Sequence, residues 1–149
     1  MSYKKFGYLQ SEAKRFEFVK TYTGIDIHRH PVAFLLEAAD DIAYSAADIE
    51  DGCKKKVLDY HTIESVLINR LAEGNEKDQL LLQSFISTYK ENKGRADRLD
   101  NAVQNFRIEA QGYMIKSVVK EFLERHIDIL NGDFDEEIID VSDASRVRQ

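Results

Sequence analysis

The chain has 149 residues, 43% of them hydrophobic and 32% charged, which suits one folded domain and excludes disorder throughout. Its net charge of −6 argues against nonspecific nucleic-acid binding, and one cysteine excludes an intrachain disulfide framework and a cysteine-cluster metal site. No apolar run reaches the length of about 18 residues that a membrane helix needs, and no signal-peptide pattern follows Met1, so no membrane partner and a cytoplasmic location are expected.

Residues 1–10 are short and mixed. Ser11 can cap a helix over residues 12–21, with Phe16, Val19 and Ala13 or Phe18 facing inward. Lys4, Lys5, Lys14, Arg15 and Lys20 make this part locally basic, either as a solvated face or as a partner for acids and phosphate. Thr23 and Gly24 end the element. His28 and His30 flank Arg29 and read as surface or capping residues, since no further ligands lie beside them.

The stretch from His30 to Cys53 organises the rest. Pro31 suits a first helical turn and Gly52 a residue just beyond a helix end. At 100° per residue, Val32, Leu35, Ala39, Ile42, Ala46 and Ile49 form an apolar stripe. Asp40, Tyr44 and Asp48 stack at i, i+4 and i+8 on another face, with Glu37, Asp41 and Asp51 beside them. From Pro31 to Cys53 there is no Lys or Arg. Wet helix faces usually mix signs, because like charges one turn apart oppose each other. The acids therefore face either solvent alone or something positive, a metal ion or basic side chains from elsewhere.

The Lys54–Lys56 run is expected to open the next helix, with Leu58, Ile63, Val66, Leu67 and Leu71 on its apolar side and an end near Gly74. Asp78 can cap a further helix whose Leu80, Leu81, Leu82, Phe85, Ile86 and Tyr89 make a wide apolar face. That width fits burial between two neighbours or an oligomer contact. The longest helix is expected from Arg95 to Ile129, and Gly112 within it is tolerable where a neighbouring backbone packs closely. Asn131-Gly132 marks a turn, FDEEIIDV a short helix and ASRVRQ a frayed end, so residues 133–149 read as a peripheral acidic segment and tail. His61 and His126 read as structural. The architecture expected is all-α, one helical domain over 1–149 with five or six helices, one of them long and in the C-terminal half.

Three runs carry a resemblance: FGYLQSEAKRFEFV, RHPVAFLLEAADDIAYSAADIEDG and QNFRIEAQGYMIKSVVKEF. In this order they resemble the later part of the deoxyguanosine triphosphate triphosphohydrolases, a branch of the HD-domain phosphohydrolases. The resemblance implies an HD-domain-like helical fragment and a divalent metal, magnesium or manganese. It makes Asp40 the final metal ligand, sets Tyr44 against the sugar or triphosphate, and has Asp48 accept a hydrogen bond from the deoxyribose 3′-hydroxyl. Basic residues on the family's long helix meet phosphate, which points to Arg107; the residues alone equally allow Arg107 to lie along a packed face. The departure is that no His-Asp doublet occurs: Arg29, Pro31, Thr62 and Ile127 follow the four histidines. The expectation is a fragment of a longer hydrolase, or a chain paired with a separate N-terminal portion, that neither retains metal nor turns over deoxynucleoside triphosphate alone. The rival is a non-catalytic helical interaction or oligomerisation module, a homo-oligomer using the Phe85 and Phe106 faces. No specific nucleic-acid site is evident.

Overall fold

The computed structural model describes residues 9–24 and 29–148, and His28 lies outside them. All regular secondary structure among the described residues is helical, with no strand. They divide into two compact units, Met1–His30 and Pro31–Gln149.

In the first unit a single 3₁₀ turn, Gln10–Glu12, leads into α1, Ala13–Thr23. Ser11 does not cap it. Glu12 instead turns its carboxylate back to accept from the Leu9 N–H at 3.2 Å. Gly24, with φ of 72°, supplies the left-handed residue that ends the helix. No residue of α1 is fully buried among the described residues: of the side expected to face inward, Ala13 and Phe16 are half-buried while Phe18 and Val19 are exposed, and Phe18 stacks on Tyr22.

In the second unit α2 spans Pro31–Lys54, α3 Tyr60–Leu71, α4 Glu76–Glu91 and α5 Arg98–Glu124. Three short helices follow: α6 His126–Asn131, α7 Ile138–Val141 and α8 Ser145–Arg148. At 27 residues, α5 is a rod of about 40 Å and the spine of the unit, with α2 along one side and α4 along the other. The core between them holds Phe85, Val103, Met114, Leu71, Ile138 and Ile139, each at most 1% exposed. Each such side chain is worth about 1.5–3 kcal/mol of burial. Aromatic contacts continue this core toward α3. Tyr60 stacks on Tyr89 at 3.6 Å, Arg98 lies over the Tyr89 ring at 4.4 Å, and Phe85 meets Phe106 edge-on.

Most of the wide apolar face of α4 is taken up inside the chain, with Leu80 left 46% exposed. Leu81, Leu82 and Phe85 are buried because α3 and α5 flank α4 on both sides. The cap of α4 is Asn75 rather than Asp78. Asn75 Oδ1 accepts from the Lys77 and Asp78 amides while Asp78 Oδ2 accepts from the Asn75 amide, a reciprocal capping box. Asp78 is thereby buried to 1% exposure, and burial pushes its carboxyl above the usual range against the opposing pull of that amide.

Gly52 does not end α2, and the lysine run does not begin α3. A Cβ at Gly52 would lie 2.6 Å from Leu58 Cδ1, so glycine serves close packing there, inside a helix that runs two residues further. The left-handed residue is Lys56, with φ of 57°. Val57 N–H donates to the Gly52 carbonyl and Lys56 N–H to the Cys53 carbonyl, both at 2.9 Å, which is the Schellman closure of a helix end. Asp59 then caps α3 by accepting from the Thr62 amide.

The long helix stops at Glu124, short of Ile129. Arg125 leaves the helical region with ψ near 2°, and α6 turns Ile129 into the core. No neighbour packs on Gly112, whose added Cβ would meet nothing within 4 Å. The segment 133–149 is not a peripheral tail up to its last described residue. Phe134, Ile138, Ile139 and Ala144 are buried, and Val147 packs against the same core. Short helices conceal this from periodicity, because four residues make only one turn.

Candidate functional site

Of the acids of α2, Asp41 and Glu50 flank the buried edge of the helix, and Glu37, Asp40, Asp48 and Asp51 lie further round it. The buried edge of the helix is Phe34, Ala38, Ile42 and Cys53, with Leu35 and Ile49 half-buried, so the stripe is rotated from the one expected. Val32 (59% exposed) and Ala39 lie outside it. The side chains flanking the buried edge meet cations from later in the chain. Asp41 lies 3.0 Å from Arg148 of α8, whose guanidinium also binds Glu137 at 2.7 Å and Asp140. Glu50 lies 3.0 Å from Arg107 Nε of α5 and 2.6 Å from Lys54. The Lys54 hydrogen bond, with help from Arg107, holds the Glu50 carboxyl below its usual range although partial burial opposes it. Arg107 Nε makes no aligned hydrogen bond, so its pairing with Glu50 is Coulombic. Asp51 is bound by Lys55 one turn on.

Asp40, Tyr44 and Asp48 form a row on that outer side. All three are exposed, Tyr44 to 69%, and none makes a hydrogen bond or ion pair among the described residues. Along the axis Asp40 and Asp48 are about 12 Å apart by helix rise. A carboxylate holds a hard divalent ion at roughly 2–2.6 Å, so these two do not share one. Among the described residues no group of three or more His, Cys, Asp or Glu side chains is placed to hold a metal ion. His61 lies 3.8 Å from Glu64 and against the Tyr60 ring, and His126 Nδ1 lies 2.6 Å from the Leu123 carbonyl at the α5–α6 junction.

Sequence reasoning missed Arg148 and the pairing of Glu50 with Arg107. One signal existed: an acid run with no base of its own needs cations from elsewhere, and the described C-terminal residues carry Arg146 and Arg148. Nothing in spacing showed that Arg148 returns to Asp41.

No family model matches the chain. It is 30% identical over 152 aligned residues to a deoxyguanosinetriphosphate triphosphohydrolase-like protein of Listeria monocytogenes, a match covering 98% of this chain and 31% of that protein. A protein of the same description from Synechocystis is 28% identical, with 95% of this chain and 30% of the relative covered. A probable deoxyguanosinetriphosphate triphosphohydrolase of Pseudomonas aeruginosa is 32% identical over 67% of this chain and 21% of its own length. Among the described residues no helix is long and apolar enough to cross a membrane. The chain spans about a third of the curated relatives it matches, and over that part of their length it is homologous to the deoxyguanosinetriphosphate triphosphohydrolase-like proteins.

Proposed function

We propose that this chain supplies one wall of a metal-dependent triphosphohydrolase site, in which dGTP and water yield deoxyguanosine and triphosphate. The reading is carried by one observation: Asp40, Tyr44 and Asp48 share an exposed face and make no hydrogen bond or ion pair among the described residues, whereas Asp41 and Glu50 of the same helix have basic partners on later helices. Asp51 lies at nearly the same angle as this row and is answered locally by Lys55.

In this reading Asp40 contributes a single carboxylate to a magnesium or manganese ion, which prefers such oxygen ligands. These residues do not make a coordination shell by themselves, and the remaining ligands come from polypeptide outside this sequence. Tyr44 lines the pocket with its ring and hydroxyl beside sugar or triphosphate, and Asp48, ionised, accepts from the 3′-hydroxyl. Arg107 would have to exchange Glu50 for a phosphate oxygen. The 149 residues then act as the helical part of a larger hydrolase, joined to it within one chain or through a partner.

Calorimetric titration of the isolated chain with manganese, followed by an assay of triphosphate release from dGTP, tests this. No stoichiometric binding and no turnover are expected. Both should appear when a polypeptide comprising the unmatched part of the Listeria monocytogenes relative is added, and turnover should vanish with Asp40→Ala. Micromolar one-to-one binding by the isolated chain, or metal-dependent turnover by it, would overturn the division of ligands. The rival reading as an interaction module requires turnover to be absent from the combined sample as well.

A further inference from the structure

Asp78 is an acid that the chain encloses and leaves half satisfied. It is 1% exposed; its Oδ2 accepts from the Asn75 amide at 3.0 Å, and its buried Oδ1 accepts no hydrogen bond among the described residues. A helix cap does not require such burial, since Asp59 caps α3 from an exposed position. Gly74 shows how closely the carboxyl is packed: a Cβ there would lie 2.3 Å from Asp78 Oδ2. A carboxylate has acceptor sites for about four hydrogen bonds, so the ionised form loses most of its solvation here and the protonated form far less. Burial accordingly raises the carboxyl above its usual range, with the Asn75 amide and Arg146 pulling the other way.

Residues 143–148 close this site and are held mostly by polar bonds. The Asp143 carbonyl accepts from Asn75 Nδ2 at 2.9 Å and from the Tyr113 hydroxyl at 2.7 Å, and the Asp143 carboxylate meets Lys120 at 2.9 Å. Arg146 reaches the Arg70 carbonyl at 3.4 Å, and Arg148 binds Asp41 and Glu137. The apolar anchors of the segment are only Ala144 and half-buried Val147, whereas α4 is held by Leu81, Leu82 and Phe85 and α5 by Val103, Phe106 and Met114. Upstream, Ile138 and Ile139 fix α7, so the segment can turn at Ser142, whose backbone is extended. Of the elements around Asp78 it is the least costly to lift. Asp143 and Arg146 face the carboxyl from this segment and Tyr113 from α5, while the turn before α4 brings Gly74 and Asn75, both uncharged.

We propose that residues 143–148 are a strap, hinged at Ser142, that stays shut over protonated Asp78 and lifts as Asp78 ionises, drawing Arg148 off Asp41. The proton passes to water, and the carboxylate left behind is hydrated only with the strap lifted. Shut, the site binds its proton more tightly than the hydrated carboxyl does. Lifting therefore becomes more frequent as pH rises from the ordinary carboxylate range to the raised value, by up to about tenfold per pH unit, and is level above it. The proposal does not rest on the function proposed above.

Native-state hydrogen exchange of the whole chain, read by NMR across this pH range, tests it. The reporters are the Ser145 and Val147 amides, which donate to the Ser142 and Ala144 carbonyls at 3.1 and 3.0 Å, with the Val118 amide of α5 as reference. Each rate is divided into that of an unstructured peptide at the same pH, which removes the chemical pH dependence of exchange. The strap amides should be less protected than Val118, and their protection should fall by up to about tenfold per pH unit through the window. In Asp78→Asn it should stay level. Arg148→Ala should lower strap protection at every pH and leave the slope unchanged. Level strap protection in the wild type while that of Val118 falls would mean that water reaches Asp78 only on global unfolding, and overturns the proposal. Equal protection of strap and Val118 at every pH, or a slope that survives Asp78→Asn, overturns it as well. Strap protection unmoved by Arg148→Ala removes the link to Asp41.

Discussion

Replacing Gly112 by alanine isolates one physical effect. The residue sits inside α5 with ordinary helical backbone, and an added Cβ would meet nothing within 4 Å. The substitution then removes the entropy that glycine loses on folding and adds no clash. Host–guest values place glycine about 1 kcal/mol below alanine in a helix interior, and Gly→Ala changes at compatible sites gain about 0.4–1 kcal/mol. For a chain of this size that raises Tm by about 1–4 °C. Gly52→Ala is the matched contrast, since it gains the same helix preference but drives a methyl to 2.6 Å from Leu58 Cδ1 and 3.0 Å from Cγ. Relieving that contact means moving a half-buried leucine, at about 1–3 kcal/mol for an overpacked site, so the net change is a loss. Thermal unfolding of both variants, at two protein concentrations, measures the pair. A fall in Tm for Gly112→Ala at both concentrations, or a rise for Gly52→Ala, refutes the reasoning.

Arg148→Ala leaves Asp41, Glu137 and Asp140 without their shared cation and should cost about 1–3 kcal/mol, more than an isolated surface pair, which chemical denaturation will read. Asp40→Asn and Asp48→Asn break no bond among the described residues, so each should move stability by less than about 0.5 kcal/mol in the same assay. For Asp78 the folded carboxyl is raised by burial, so between the ordinary carboxylate range and that raised value the native state binds the proton more tightly than the unfolded chain. Its contribution to stability therefore falls as pH rises through that window, and Asp78→Asn should gain in Tm relative to wild type from acid to neutral pH. A difference that stays flat or shrinks would falsify the assignment.

The helical class was legible because apolar residues recur at three and four through most of the chain, and the long helix was placed within a few residues of its start and end. The face of α2 was not, for a reason its sequence contains. Phe34, Ala38 and Ile42 form one apolar line and Leu36, Ala39 and Ala43 another, so periodicity alone has no basis for choosing which line turns inward. Gly52 was misread because glycine has two uses, a left-handed turn or a close contact, and only Leu58 lying against it distinguishes them. Asp78 carries half of a capping box, which the sequence pattern leaves ambiguous until Asn75 is seen to accept the amides. The segment after Asn131 defeats pattern reading altogether, since its helices are too short to repeat.

The unbalanced acidity of α2 has two physical origins, and separating them changes what each acid can do. Asp41, Glu50 and Asp51 lie where cations from α8, α5 and the α2 end reach them, so their charge is spent within the chain and their removal should register as stability. Arg148 matters most in this respect, because it reaches Asp41 directly beside Asp40 in sequence and draws that carboxylate toward α8. Of the adjacent pair, Asp40 alone remains directed outward. A helix that carried both free would present two carboxylates to one incoming cation and to each other, with mutual repulsion opposing any close approach. Pairing one of them internally leaves a single outward carboxylate at a fixed height on the helix, with Tyr44 and Asp48 one and two turns further along. The fold thereby makes the outward row independent of the packing that holds α2 in place, so on the function proposed above loss of Asp40 or Asp48 removes turnover while leaving the helix and its core intact.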